Sequence, residues 1–258
     1  ACGCPGARSR CRCDSAALSP ATPAPAALND SIRDLLDEAD KKGAAGSLEL
    51  HGYMENAGYK DVREAIAANL NKRFGTAFDD HNIVMTVGAA GGLNIIFKTV
   101  LDPGDEVIVF APFFGEYRQY AANFDSEIVT VNPDLKTFLP DLNDFEAKIT
   151  EKTKALIVNT PNNPTGVIYK PETMEAIASI LEKKQKEFGH DIYLVSDEPY
   201  RELVYDGNKE DFLTKYYKNT IVGYSFSKSL SLPGERIGYV AVNPACKDAA
   251  LIVHMCTQ

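Results

Sequence analysis

The chain has 258 residues, which is enough for one large domain or two small ones. Hydrophobic residues make up 45% of it and charged residues 24%, and no apolar run approaches the roughly 20 residues that cross a bilayer, so we expect a globular protein with no membrane partner. Lys and Arg number 27 against 36 Asp and Glu, and the resulting net charge of -9 argues against nucleic-acid binding, which needs a basic face.

Residues 1–28 differ in composition from the rest of the chain. They contain two Cys-x-Cys pairs, Cys2 with Cys4 and Cys11 with Cys13, followed by a run rich in Ala and Pro. Thiolates bind zinc or copper, and an Arg-rich start is also found in targeting segments. However, Cys-x-Cys is not the usual zinc spacing, and no histidine lies nearby. We therefore predict a disordered or artefactual leader and no metal site.

The other cysteines bear on the cellular compartment. Cys246 and Cys256 lie near the end of the chain, and the long stretch between the two groups has no cysteine. A disulfide framework is therefore not expected, which favours a reducing, cytoplasmic location.

Two amphipathic helices are predicted ahead of the first strand. The first covers residues 29–42, opens with candidate capping side chains and is expected to end at Gly43 and Gly46. After a predicted loop at residues 51–59, the second helix covers residues 60–74, where apolar residues recur at i, i+4 spacing.

From residue 80 onward, seven short β-branched runs alternate with helical patterns. Most runs are apolar on both faces, which is typical of a parallel sheet covered on two sides. The pattern predicts one domain with a three-layer α/β/α architecture and a mostly parallel seven-stranded sheet. The predicted strands cover residues 83–87, 106–110, 127–131, 155–159, 192–196, 220–224 and 237–242, and the predicted helices residues 92–101, 142–150 and 172–188.

Ligands of such sheets bind beyond the carboxyl ends of the strands, so the residues that follow each strand are the candidate site. After the first strand, the small residues 88–93 lead directly into a helix, and the backbone N–H groups of Ala89 and Ala90 could approach a phosphate there. The segment lacks the Gly-Lys-Ser/Thr ending of a P-loop. Close packing of the helix on the strand is the alternative explanation.

A single lysine, Lys228, follows the sixth strand among small hydroxyl residues, and Arg236 comes eight positions later. An amine at a buried strand end can be desolvated enough to act as a nucleophile. Hydroxyls such as that of Ser225, together with an arginine fork, suit a phosphate. An amine nucleophile beside a phosphate site suggests pyridoxal phosphate held as a Schiff base. The alternative is a solvated lysine in a serine-rich turn.

Three further strand ends carry polar or aromatic side chains. Of the two aromatics after the second strand, Phe113 is assigned to the core and Phe114 is the candidate for stacking on a planar ring. Asn163 lies in a Pro-rich segment. This segment is either a plain turn or a rigid turn that directs the Asn163 amide at a ligand oxygen. Asp197 needs a positive partner, either a protonated pyridine nitrogen or a neighbouring Arg or Lys. Tyr200 could reach a phenolic oxygen.

Taken together, these motifs resemble the class I/II aminotransferases, which are pyridoxal phosphate enzymes of fold type I. Their order and rough spacing agree from about residue 29 to the end of the chain. The segments that carry the resemblance are Gly88-Ala89-Ala90-Gly91-Gly92, Pro112-Phe113-Phe114, Asn162-Asn163-Pro164-Thr165-Gly166, Asp197-Glu198-Pro199-Tyr200 and Ser225-Phe226-Ser227-Lys228 with Arg236.

The resemblance implies a role for each residue around the cofactor ring. Lys228 looks like the Schiff-base lysine, which would also move the proton between Cα of the substrate and C4′ of the cofactor. Asp197 would keep the pyridine nitrogen protonated. Asn163 and Tyr200 would donate to the phenolic oxygen, and Phe114 would stack on the ring. Lys228, Asp197 and Tyr200 are thus the implied catalytic residues.

The resemblance also implies a phosphate cradle and a homodimer. The backbone at Ala89 and Ala90 would form the cradle with Ser225 and Arg236. Tyr53 matches a tyrosine that, in this family, reaches the phosphate bound by the partner subunit, so that two sites would be shared across a dimer.

Family members are longer than this chain. The resemblance therefore implies that residues 29–258 are the pyridoxal phosphate-binding large domain, incomplete at its C-terminus, with most of the small domain and the substrate-carboxylate arginine missing. The expected activity is transfer of an amino group between an amino acid and a 2-oxo acid by ping-pong chemistry. The alternatives are a β-lyase of the same fold and a truncated, non-catalytic cofactor-binding fragment.

Overall fold

The computed structural model describes residues 22–209 and 211–258. Two 3-10 helices occur in it, at Asp80–Asn82 and Leu213–Lys215. The strands are β1 (Ile83–Thr86), β2 (Glu106–Phe110), β3 (Glu127–Val131), β4 (Thr153–Val158), β5 (Tyr193–Asp197), β6 (Thr220–Ser225) and β7 (Gly238–Val242). The α-helices are α1 (Ala26–Lys42), α2 (Ala44–His51), α3 (Lys60–Phe74), α4 (Gly88–Val100), α5 (Tyr117–Ala122), α6 (Leu142–Lys148), α7 (Pro171–Phe188), α8 (Phe226–Ser229) and α9 (Ala249–Cys256).

All seven strands join one sheet in the order β1-β7-β6-β5-β4-β2-β3. β7 is antiparallel to both of its neighbours, and every other pair is parallel. Six strands therefore end at one edge of the sheet, and β7 begins there, with Gly238 opposite Thr86 of β1 and Ser225 of β6. The prediction of a mostly parallel, seven-stranded sheet is confirmed.

The sheet separates two apolar cores. On β2, Val107 and Val109 belong to a core shared with α4, α5 and α9. The intervening Ile108 and Phe110 belong to the opposite core, which includes α6 and α7. Because successive strand residues face opposite sides, burial on both sides requires a continuously apolar run. The prediction of three layers is thus confirmed, and the strands are apolar because both of their faces are buried.

A third cluster joins α3 to the β1–β7–β6 side of the sheet and encloses a buried ion pair. Arg201 is 2% exposed, lies over the rings of Phe212 (4.8 Å) and Tyr224 (4.7 Å), and donates to the hydroxyl of Tyr239 at 3.2 Å. Its guanidinium pairs with Glu198, which is equally buried. Each charge in this pair compensates the other.

Two of the predicted helices, 60–74 and 172–188, occur as α3 and α7 with ends that agree to within one residue. Each is followed by a glycine in the left-handed conformation, Gly75 at φ 69° and Gly189 at φ 75°. Glycine adopts this conformation at helix C-termini without a steric penalty, so it stops both helices cleanly.

The prediction that Gly43 and Gly46 end the first helix and lead into a loop is wrong in part. The helix α1 does end before Gly43, but Gly46 lies inside a second helix, α2. A side chain at Gly46 would come within 2.2 Å of the carbonyl oxygen of Ala39 on α1. Glycine is therefore present here to let two helices approach closely, and tertiary packing outweighs its low helix propensity.

The starts of two helices also differ from the prediction. α1 begins after Pro25 and its N-cap makes no side-chain hydrogen bond, so the candidate caps lie within the helix. α4 begins at Gly88 rather than Gly92, so the small-residue segment forms its first turn. The helices that were not predicted, α2, α5, α8 and α9, have eight residues or fewer, too few turns for a clear hydrophobic period.

Most of the predicted leader, including its four cysteines, lies outside the described residues, and residues 26–28 form the first turn of α1. Within residues 22–209 and 211–258, no helix combines the length and apolar character that a bilayer crossing requires. In the same ranges, no group of three or more His, Cys, Asp and Glu side chains could hold a metal ion.

Replacing Arg201 with Met should strongly destabilise the fold, because Glu198 would remain buried without its counter-charge. We expect a loss of about 3–5 kcal/mol in the free energy of unfolding, measured by urea denaturation at pH 7. The control is Arg33→Met, which removes an exposed pair with Asp30 and should cost less than about 1 kcal/mol. Equal losses in the two variants would contradict this interpretation.

Candidate active site

A cavity of about 260 Å³ opens at the sheet edge where β4, β5 and β6 end. Nine of the ten residues predicted for the site line it. They come from the first turn of α4, the segment before α5, the turn after β4, the end of β5 and the segment from β6 to β7. These nine residues are Ala89, Ala90, Phe114, Asn163, Asp197, Tyr200, Ser225, Lys228 and Arg236.

Tyr53 is the predicted residue that lies elsewhere. It belongs to the segment between α2 and α3, and its side chain is fully exposed, at 109% of the reference area. Its predicted role concerns the site of a partner subunit, and that role stays a prediction.

Asp197 ends β5 and is almost completely buried, at 6% exposure. Its Oδ2 accepts a hydrogen bond from the hydroxyl of Tyr117 at 2.5 Å, and its buried Oδ1 has no hydrogen-bond partner in the part of the chain that the structure describes. Burial raises the pKa of Asp197 to about 7; the Tyr117 hydrogen bond opposes that shift, and the nearby Glu198 charge adds to it. Among the described residues, no Arg or Lys lies within ion-pair distance of this carboxylate, so the alternative of a neighbouring salt bridge is not observed.

Lys228 lies in α8, a single turn that directly continues β6. Ser225 caps this turn, since its hydroxyl oxygen accepts from the backbone N–H of Ser227. The lysine side chain is half-buried and lines the cavity. Within the described part of the chain, no carboxylate lies within ion-pair distance of its ammonium group, which leaves that group available to a ligand.

Asn163 and Tyr200 meet at the same cavity. Both side chains line it. Burial is the main cause that raises the pKa of Tyr200, the charge of Asp197 adds to the rise, and the hydrogen bond from Asn163 opposes it. An amide and a phenol that line one cavity can both donate to the same ligand oxygen.

Asn159, which sequence reasoning missed, connects these groups. Its Nδ2 donates to the backbone oxygen of Asp197 at 2.8 Å, and its Oδ1 accepts from the backbone N–H of Asn163 at 2.6 Å. One side chain therefore fixes the end of β5 relative to the turn after β4. The available signal was a polar residue that closes an apolar run, because a buried amide needs partners.

The N-terminus of α4 and Arg236 form a corner of the cavity whose chemistry suits an anion. Ala89 and Ala90 are in the first helical turn, where backbone N–H groups have no partner within the helix and the dipole favours an anion. Gly88 has φ 70°, and a Cβ there would lie 2.8 Å from Nη2 of Arg236. Its missing side chain thus makes room for the guanidinium, which donates to the Pro233 oxygen at 3.0 Å.

Phe114 and Phe113 pack around Tyr117, at the start of α5. Phe114 lines the cavity and meets the Tyr117 ring edge-on at 5.7 Å, while Phe113 lies parallel to that ring at 6.3 Å. Both phenylalanines pack against the core around α4 and α5. Tyr117 itself was not singled out by the sequence, because its partner Asp197 is 80 positions away.

These residues fit pyridoxal 5′-phosphate. The unpartnered Oδ1 of Asp197 can accept from a protonated ring nitrogen, and the ammonium of Lys228 can reach an aldehyde carbon in the same cavity. The corner of α4 and Arg236 suits the phosphate, and Phe114 can stack on the ring.

Comparison with known proteins agrees with this fit. The family model for aminotransferase class I and II matches residues 25–256. A probable aspartate/prephenate aminotransferase from Thermus aquaticus is 37% identical over 206 residues, which cover 79% of this chain and 50% of that protein. The chain spans about half the length of the curated relatives that it matches.

Solved structures show the same relationship. The crystal structure of an aminotransferase from Eubacterium rectale is 44% identical, with a TM-score of 0.87 over 93% of this chain and 59% of that one. The aspartate aminotransferase from Thermus thermophilus with maleate is 30% identical, with a TM-score of 0.75 over 93% of this chain and 57% of that one. Sequence and fold together confirm the predicted family: this chain belongs to the class I and II aminotransferases, whose cofactor is pyridoxal 5′-phosphate.

Proposed function

We propose that this chain is the cofactor-binding part of an aminotransferase, which moves an amino group between an amino acid and a 2-oxo acid by ping-pong chemistry. The observation that carries the proposal is that the Lys228 ammonium and the Asp197 Oδ1, neither of which has a partner among the described residues, meet in one cavity. Family membership supports the same activity.

The amine and the carboxylate have complementary tasks. When bound, pyridoxal 5′-phosphate supplies a ring that accepts the electrons left on the substrate Cα after proton loss. Lys228 would hold the cofactor covalently and, once released, would carry the proton to and from Cα. Asp197 would keep a proton on the ring nitrogen through its free Oδ1. A cation there would also lower the high pKa of Asp197.

The other lining residues would orient the ring. Asn163 and Tyr200 would direct hydrogen bonds at the phenolic oxygen, and Phe114 would cover one face. The phosphate would lie between the first turn of α4 and Arg236, with the Ser225 hydroxyl beside it.

A homodimer is part of the proposal. None of the α1 residues is buried, although Ile32, Leu35 and Leu36 form an apolar strip that is about half exposed in each case. Tyr53 is fully exposed in the segment after α2, where a partner subunit could receive it. A strip of this kind is typical of a surface that a second subunit covers.

We also propose a cytoplasmic location. Cys246 and Cys256 are buried free thiols, which suits a reducing compartment.

Product analysis of the whole protein distinguishes the activities that this cavity could serve. With an amino acid and 2-oxoglutarate, we expect glutamate and the matching 2-oxo acid. Pyruvate and ammonia without glutamate would instead identify a β-lyase. A whole protein that binds the cofactor but leaves its absorbance unchanged when amino acids are added would be a non-catalytic binding module.

Lys228→Ala should abolish covalent attachment of the cofactor, because the nucleophilic amine is removed. The chain is incubated with pyridoxal 5′-phosphate, reduced with borohydride and digested, and the modified peptide is identified by mass spectrometry. The control, Lys152→Ala, removes an exposed lysine outside the cavity and should leave attachment intact. An adduct of undiminished stoichiometry in Lys228→Ala would refute the assignment.

Gly88→Ala should weaken phosphate binding, because a Cβ at this position would collide with the Arg236 guanidinium. We expect affinity for pyridoxal 5′-phosphate to fall by about tenfold, the loss that one charge-assisted hydrogen bond implies, with little change for pyridoxal. Fluorescence titration measures both ligands.

The matched control is Gly91→Ala in the same helix. A Cβ at Gly91 would make an ordinary 3.4 Å contact with Val87, so its affinity should stay close to that of the wild type. If both variants lose affinity for pyridoxal and its phosphate alike, Gly88 does not act through the phosphate corner.

Leu35→Asp should weaken the dimer, because a carboxylate would be placed within the apolar strip of α1. Sedimentation velocity should show a dimer for the wild-type chain and a shift toward monomer for the variant. Leu135→Asp, at an exposed residue far along the chain, is the control and should not shift the equilibrium. A monomeric wild type at micromolar concentration would reject the proposed dimer for this chain.

A further inference from the structure

Among the described side chains, Tyr117 is the only one that donates a hydrogen bond to the carboxylate group of Asp197. The bond joins the start of α5 to the end of β5, over 2.5 Å between the Tyr117 hydroxyl and Oδ2 of the carboxylate. The phenol is 1% exposed, so water does not compete for the contact. Burial and the charge of Asp197 raise the pKa of Tyr117 well above its usual value, and the hydroxyl therefore remains a donor.

The ring that carries this hydroxyl is held from several sides. Phe113 lies parallel to it at 6.3 Å, Phe114 meets it edge-on at 5.7 Å, and Tyr120 is 6.4 Å away. The backbone N–H of Tyr117 also donates to the Phe114 oxygen. A ring fixed in this way presents its hydroxyl to one carboxylate oxygen and leaves the other without a partner.

The pKa of Asp197 is set by burial and by a few neighbouring groups, while Lys228 and Arg236 line the same cavity. The titratable groups that act on it or feel its charge are Glu198, Tyr117, Tyr120 and Tyr200. Glu198 is an acid already paired with Arg201. Of the four groups, the Tyr117 hydroxyl is the one whose contact lowers the pKa of Asp197.

We propose that Tyr117 is a positioning residue for the ring-nitrogen contact: its hydroxyl fixes the Asp197 carboxylate through Oδ2, favours the anion, and reserves Oδ1 for the cationic nitrogen of the cofactor. The part of this inference that concerns the carboxylate stands on the contacts of the chain itself. The part that concerns the cofactor rests on the proposed function.

The first test uses the cofactor-free chain. Aspartate labelled with ¹³C at the carboxyl carbon is followed by NMR across pH 4–9, and Asp197→Asn identifies the signal. The Tyr117→Phe variant keeps the packed ring but loses the hydroxyl. The pH midpoint of the Asp197 titration should then rise by about one pH unit, as expected when an anion loses a hydrogen bond.

The matched control is Tyr217→Phe. Tyr217 is as deeply buried as Tyr117 and also loses one hydrogen bond, from its hydroxyl to the Ile192 oxygen at 2.7 Å, but it lies in the core on the α6 and α7 side. This variant should lose stability yet leave the Asp197 midpoint unchanged. If the two variants shift the pH midpoint of Asp197 by the same amount, the effect is purely structural and the proposal is overturned.

A second variant keeps the proposal testable if Tyr117→Phe does not fold. Site-specific 3-fluorotyrosine at position 117 keeps the shape of the phenol and makes its hydroxyl a stronger donor. The Asp197 midpoint should then move downward. A midpoint that stays at the wild-type value in this protein would overturn the proposal.

The second test uses the chain loaded with pyridoxal 5′-phosphate. In Tyr117→Phe, the Asp197 carboxylate holds a proton more tightly, so it leaves less positive charge on the ring nitrogen. A ring with less positive charge raises the proton affinity of the Lys228 nitrogen joined to it. The pH midpoint of the visible absorbance should therefore rise in Tyr117→Phe, and affinity should fall by about tenfold.

The two tests separate two kinds of failure. If the cofactor-free midpoint shifts but wild-type Lys228 forms no borohydride-stable adduct, the proposed function fails and the role of Tyr117 toward the carboxylate stands. If Lys228 forms the adduct but neither midpoint shifts in Tyr117→Phe, the role of Tyr117 is refuted and the proposed function stands.

Discussion

The site depends on a carboxylate that the fold buries without completing its hydrogen bonds. Asp197 is enclosed between β4 and β6, with Oδ2 held by Tyr117 and Oδ1 without a partner within residues 22–209 and 211–258. An isolated buried charge is costly, so the group either takes up a proton or meets a cation. The neighbouring Arg201 does not supply that cation, because it is already paired with Glu198. An uncompensated buried oxygen would favour a ligand with a positive nitrogen, as the proposed function requires.

Topology brings the other groups to this carboxylate. Six strands end at one edge of the sheet, and the polar residues that follow them converge although they are distant in sequence. Asn159 then links two of these ends through hydrogen bonds to the backbones of Asp197 and Asn163. The arrangement is rigid because each contact uses backbone atoms of the sheet or its first turns. Such support holds reactive groups within the narrow geometry that chemistry requires.

Much of this site could be predicted from the sequence, for a physical reason. Doubly buried strands need continuous apolar runs, so the runs mark the strand ends, and parallel strands place those ends together. Lys228 and Asp197 were found in this way. Tyr117 and Asn159 were not, because their function depends on partners 80 and 38 positions away, and no local pattern encodes such a pairing. Gly46 was misinterpreted for the same reason, since its packing against α1 is a tertiary contact.

The antiparallel β7 carries one side of the phosphate corner into the sheet. It enters the sheet between β1 and β6, and Gly238 at its start has no room for a side chain, since a Cβ would lie 2.9 Å from the Gly88 backbone. Arg236, two residues earlier, reaches the first turn of α4 only when this strand is in place. Among the described strands, β7 comes last in the sequence. Without β7 in the sheet, the corner beside α4 would lack Arg236, so we expect the phosphate site to be complete only once the sheet has closed.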